Sequence, residues 1–156
     1  MIRCHHPREW HNNYQTLVSQ GRLCGDIAYT QLRYNGHFVS LQSNPTTLYQ
    51  EEPWPRILED SRTHTVEWDR CQTGLIDELF DSIYSPSLIV ASSSQLTSPF
   101  ANRKCCGNQN HAFRPLEIHS ISPVPWTWDE TSLLVTGISD VLSKSVSNVY
   151  AWSPPG

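Results

Sequence analysis

Asp60, His64 and Glu67 carry the side chains best suited to proton transfer in one short stretch of this chain. Within Arg62 to Asp69, RTHTVEWD, the period of two puts His64, Val66 and Trp68 on one side and Thr63, Thr65 and Glu67 on the other. An imidazole that shares a face with an isopropyl group and an indole has a tunable pKa, and a carboxylate such as Asp60 within reach would set its tautomer. The chemistry expected of such a pair is simple acid/base work of the isomerase, cyclase or dehydratase kind on a small apolar molecule. Trp68, Trp126, Trp128 and Trp152 are the expected walls of an aromatic cavity, and Glu67 is counted with them as a ligand contact. The competing reading is a hydrogen-bonded core histidine and tryptophans that are plain core and interface anchors.

Two further sets of residues bear on chemistry. Cys24 follows Gln20 in SQGRLCG, and His111 lies far downstream in Asn110-His111-Ala112. A cysteine, a histidine and a glutamine donor in this chain order faintly resemble papain-like cysteine hydrolases, and the resemblance implies Cys24 as nucleophile and His111 as base. It covers two fragments only. The nucleophile of that family caps a helix, whereas Cys24 is expected to precede a strand, and the second cysteine and the Asn-Ser-Trp string are absent. Cys4, His5, His6, His11, Cys105, Cys106 and His111 are the right residue types for zinc. The spacings Cys4-x6-His11 and Cys106-x4-His111 match no standard zinc knuckle, so neither a metal nor any other cofactor is expected. Asp77, Glu78 and Asp81 on one helical face read as a solvated surface.

A chain of 156 residues with 38% hydrophobic residues and six tryptophans has the length and composition of one domain, residues 1–156, with a core of its own. The formal charge is −4, and nine arginines with Lys104 and Lys144 are spread singly, which argues against nucleic acid as a partner. The longest aliphatic run, Leu88 to Ala91, is far too short for a bilayer crossing, so no membrane span is expected. Five cysteines and the absence of an apolar leader in MIRCHHPREW point to a cytoplasmic protein. The leading functional expectation is a small-molecule-binding domain; the others are a non-catalytic protein-interaction module and the cysteine hydrolase. Oligomeric state is not legible.

The elements that must position these residues follow from periodicity and breakers. Pro7 to Gln20 is expected to be a helix stopped by Gly21. Asp26 to Ser43 is expected to be a β-hairpin turning at Asn35-Gly36, which sets Leu32 opposite Val39. Leu48 to Leu58 reads as a proline-rich loop anchored by Trp54. Thr73 to Tyr84 reads as an amphipathic helix with Leu79 and Phe80 inward, and Ser87 to Ser92 as a strand covered on both faces. A long loop from Ser93 to Pro115 precedes a strand at Leu116 to Ile121. A helix capped by Asp129 has to tolerate Gly137, and a short strand spans Asn148 to Trp152. The fold class expected is α+β: a mixed, mostly antiparallel, curved sheet with about three helices packed on one face.

Overall fold

In the computed structural model, which describes residues 7–76, 82–107, 111–112 and 126–150, the chain begins with a 27-residue helix, α1 (Pro7–Arg33). Its buried positions are Val18, Gly21, Gly25, Ala28 and Leu32, a 3-4-3-4 stripe that faces one side of the helix throughout. Two members of that stripe are glycines, and at both another part of the chain comes close, against the rigid rings of Pro53 and Trp54 at Gly25. A Cβ at Gly21 would meet Leu48 Cδ2 at 2.8 Å, and one at Gly25 would meet Pro53 Cδ at 2.8 Å and Trp54 Nε1 at 3.0 Å. Gly21 therefore does not stop the helix. It opens a trough along α1 into which Trp54 packs, its indole N–H donating to the Gly21 carbonyl at 2.9 Å.

The expected hairpin is likewise replaced by helix. Asn35 does take positive φ, at 55°, but as a helix cap. The Gly36 N–H donates to the Gln31 carbonyl at 2.7 Å and the Asn35 N–H to the Leu32 carbonyl at 3.3 Å, the two bonds of a Schellman motif. Only Val39 to Ser43 of that stretch is a strand, so Leu32 and Val39 are not paired. Ala28 and Leu32 are buried here because they are four apart on a helix.

Among the described residues, three strands form the larger sheet. β1 (Val39–Ser43) and β2 (His64–Asp69) both pair antiparallel with the central β4 (Pro86–Ala91), in the order β1-β4-β2. The rungs run Val39–Ala91–His64, Leu41–Ile89–Val66 and Ser43–Ser87–Trp68. Between β1 and β2 lies α2 (Trp54–Glu59), where a loop was expected. Ile89, Val90 and Ala91 are wholly buried, as a strand covered on both faces requires.

Alternate residues of β4 face different helices, which corrects the one-faced arrangement. Val90 and Leu88 pack with Ala28 and Leu32 of α1 and with Tyr49, Trp54 and Ile57. Ile89 packs with Trp68, Phe100, Leu133 and Leu134, and Ala91 with Leu96 and Val141. The second face is covered by α4 (Trp128–Tyr150) and the short α3 (Ser94–Thr97), the latter inside the segment expected to be loop. Gly137 lets these two helices touch. A Cβ there would meet the Gln95 carbonyl oxygen at 2.9 Å and Leu96 Cα at 3.0 Å. α4 continues to Tyr150, so no strand begins at Asn148, and Trp152 lies outside the described residues.

The α+β class holds, with four helices and an open antiparallel three-stranded sheet among the described residues. The helix expected over Thr73 to Tyr84 does not form where the chain is described. Arg70 to Thr73 is a single 3-10 turn, Gly74 is left-handed, and Ser82–Ile83 is strand β3, parallel to β5 (His111–Ala112). Leu79 and Phe80, with Asp77, Glu78 and Asp81, lie outside the described residues, as does the strand expected at Leu116 to Ile121. No helix among the described residues is long and apolar enough to cross a membrane.

Burial of Tyr49 between α1 and the sheet gives the fold an alkaline limit. Desolvation pushes the phenol up to about 12, against the opposing hydrogen bond with the Ser40 hydroxyl at 2.9 Å. A folded-state pKa above the ordinary value of 10.0 means that this site favours the fold fully below pH 10 and progressively less as pH climbs toward 12. Tyr49→Phe should flatten the fall in stability across that window, as read by denaturant midpoints at pH 9 to 11. An unchanged alkaline slope would show that Tyr49 ionises as freely as an exposed phenol.

Candidate functional site

The end of the sheet where β1 finishes, β4 starts and β2 finishes abuts the start of α4, and a cavity of about 310 Å³ lies there. Its walls include Trp68, Arg70, Ser43, Ser87, Trp126 and Glu130. Trp68 is buried and stacks at a tilt on Phe100, with ring centroids 4.9 Å apart; Trp126 is half exposed. The Trp68 indole N–H finds no hydrogen-bond partner among the described residues. Nε1 itself has essentially no accessible surface, so the N–H is covered by protein and is not part of the cavity wall.

Arg70 and Glu130 fix the rest of the wall. Arg70 Nε donates to Glu130 Oε1 at 2.6 Å and Nη2 to Oε2 at 2.8 Å, a two-pronged pair whose carboxylate is almost completely buried. The Thr73 hydroxyl donates to Oε1 at 3.0 Å and the Thr127 N–H to Oε2 at 3.1 Å. Glu130's own N–H donates to the Thr127 hydroxyl at 3.1 Å, which completes a capping box; the cap of α4 is Thr127 and not Asp129. The Thr127 hydroxyl also donates to the Thr73 carbonyl. Four donors on one carboxylate leave Glu130 no capacity to act as a base.

The expected catalytic pair lies elsewhere. His64 shares the sheet face of Val66 and Trp68, as the period of two requires, but it is exposed and sits two rungs from Trp68, roughly 13 Å along the strand at about 3.3 Å per residue. Neither His64 nor Asp60 lines this cavity. Asp60 accepts from Arg62 Nε at 3.0 Å, Nη2 at 2.9 Å and the Arg62 N–H at 2.9 Å, and the side-chain bonds first, then the backbone bond, hold its carboxyl at about 2. The same guanidinium reaches the Leu32 carbonyl at 2.5 Å, so the Asp60–Arg62 unit ties down the end of α1. Glu67 is exposed and pairs with Lys104 at 3.0 Å, which lowers its pKa. Trp128 is 84% exposed and faces away on α4.

In a second constellation, Cys105 and His111 of the zinc-type set meet Cys71, which stands 34 residues before Cys105 and is outside that set. The ligand atoms of Cys71, Cys105 and His111 all lie within 4.8 Å of one another, with Cys105 Sγ 3.4 Å from His111 Nε2. Cys71 is buried at the end of β2, and burial, with Cys105 and Asp69 adding to it, pushes its thiol up. Asp69 accepts from the Cys105 N–H at 2.7 Å, and the Asp69 N–H donates to the Arg103 carbonyl at 2.8 Å. The ring of Tyr84 lies 5.5 Å from that of His111. His111 thus meets Cys105, whereas Cys24 is exposed on α1. The chain matches no family model, no curated protein and no solved structure.

Proposed function

We propose that this protein binds a small, neutral, planar molecule in the cavity between Trp68 and Trp126. One observation carries the reading: a cavity whose wall joins two indole residues, Trp68 and Trp126, to a mutually neutralised Arg70–Glu130 pair. The cavity volume stands at the lower end of the range of ligand pockets, which suits a ligand of one or two rings. Arg70 and Glu130 neutralise each other, so the wall offers no net charge to attract an ion. Ser43, Ser85, Ser87 and Gln42 add hydroxyl and amide groups, so the fitting ligand is aromatic with a polar, acceptor-bearing edge rather than wholly apolar. The cavity reading is one of binding, since its two titratable wall groups are occupied with each other. Four free cysteines among the described residues support a reducing, intracellular setting.

Saturation-transfer NMR with the full chain and a panel of neutral one- and two-ring aromatic amides and ketones tests this. Acceptor-bearing aromatics should bind and quench tryptophan fluorescence, and saturated analogues should not. Ser43 is exposed at the cavity's edge, so Ser43→Trp should fill the space and abolish binding with the thermal midpoint kept. Binding that survives Ser43→Trp, or a panel with no binder, overturns the proposal.

A further inference from the structure

We propose that Cys71, Cys105 and His111 form a binding site for a thiophilic divalent cation, zinc being the fitting ion. This site is separate from the cavity and does not depend on it. Bond lengths of about 2.3 Å to sulfur and about 2.0 Å to nitrogen around a tetrahedral centre give edges of about 3.8 Å between sulfurs and about 3.5 Å between sulfur and nitrogen. The 3.4 Å between Cys105 Sγ and His111 Nε2 and the 4.8 Å bound on all three separations fit that figure with little movement.

Each donor is fixed by something other than the cluster itself. Cys71 belongs to the turn Arg70 to Thr73, whose two ends both bond to Glu130. Cys105 is held by its N–H on Asp69. His111 is held by the pairing of β5 with β3, Ser82 opposite His111, and by the ring of Tyr84. Three separate pieces of chain are thereby brought to one point, which is the preorganisation a metal site needs.

Each sulfur also has a donor group beside it. The Gly107 N–H points to Cys105 Sγ at 3.4 Å and Gln72 Nε2 to Cys71 Sγ at 3.7 Å, the kind of outer hydrogen bonds that support coordinating sulfurs. Two thiolates balance the charge of a dication, so the loaded site is neutral and suits a buried position. Binding expels the thiol protons, which leave to solvent. A disulfide between the two cysteines would give the convergent imidazole no role, and a thiol–imidazole catalytic dyad would give the second thiol none. With three protein donors a fourth position stays open, as in zinc sites that act on a bound water.

The test uses the full chain, reduced and stripped with a chelator, then titrated with cobalt(II). One equivalent should bring up a thiolate-to-cobalt charge-transfer band with tetrahedral visible absorption, and zinc should erase both. Cys71→Ser, Cys105→Ser and His111→Ala should lose the band, while Cys24→Ser and Cys106→Ser keep it. Because a ligand variant can misfold, differential alkylation of the unaltered chain provides a second readout: zinc should slow labelling of Cys71 and Cys105 at least tenfold relative to Cys24 and Cys106, reversed by chelator. No charge-transfer band, equal labelling with and without zinc, or a Cys71–Cys105 disulfide in protein alkylated directly at lysis overturns the proposal.

Discussion

Glu130→Gln is expected to cost about 3–5 kcal/mol in a denaturant titration, because it takes from the mostly buried Arg70 guanidinium the carboxylate that holds it in a two-pronged pair. The substitution isolates the ion pair from the cap. Glutamine at the third helical position still completes a capping box, so the Thr127 N–H keeps an acceptor and α4 keeps its start. Arg70 retains 13% exposure of its side chain, and the cavity it lines admits some solvent, which draws the loss toward the lower end of that range. Arg70→Met combined with Glu130→Leu should recover most of the stability, short of about 1 kcal/mol for the lost cap, because no unpaired charge then remains buried. A single-variant loss under 1 kcal/mol would mean that water already solvates Arg70.

The second large effect is expected at Trp54. Trp54→Ala should cost about 3–5 kcal/mol, since the ring is 2% exposed and fills the space between α1 and the sheet. Its ring stands edge-on to Tyr49 at 4.8 Å and to Phe38 at 6.5 Å, and its N–H holds the Gly21 carbonyl. Trp54→Phe keeps most of the apolar contact and should cost about 1–2 kcal/mol, the share of the hydrogen bond and the missing ring. Amide hydrogen exchange locates the damage: protection should fall along the middle of α1 first. Should Trp54→Ala lose no more than an exposed substitution, the trough at Gly21 and Gly25 is not what seats α1.

Of the four tryptophans expected as cavity walls, two line this cavity, Trp128 is exposed on α4 and Trp152 lies outside the described residues. Trp68 and Trp126 do line the cavity, and the alternation of Arg62 to Asp69 correctly put His64, Val66 and Trp68 on one sheet face. Alternation says nothing about distance along the strand, and His64 is on the far side of that distance from the cavity. Arg70 and Glu130 were passed over because 60 positions separate them, and a buried ion pair has no local signature. The capping box Thr127-x-x-Glu130 was legible, being a four-residue pattern, but Asp129 is an equally good cap by residue type alone. Cys71 was absent from the metal-ligand set for the same reason as Arg70: convergence of distant segments is a property of the fold.

The sequence by itself determined the α+β class, a doubly covered strand within Ser87 to Ser92, a strand within Arg62 to Asp69 and a helix through Leu134 and Leu142 without its true end, because each follows from the period of apolar side chains within one short window. Tertiary structure decided the rest, and it did so most plainly at the glycines. Gly21, Gly25 and Gly137 look like breakers in a one-dimensional reading, since glycine weakens a helix by about 1 kcal/mol relative to alanine. Each is instead a place where another part of the chain comes close to where a Cβ would stand. The helix keeps its hydrogen bonds through the glycine and gains the packing of Trp54 or of α3 in exchange, so the stripe Val18-Gly21-Gly25-Ala28-Leu32 is continuous in space although its apolar pattern is broken in sequence. Asn35-Gly36 shows the same division. Residue type fixed the positive φ, which both a hairpin turn and a helix cap require, and only the partner waiting in the tertiary structure, Trp54 against α1, chose the helix.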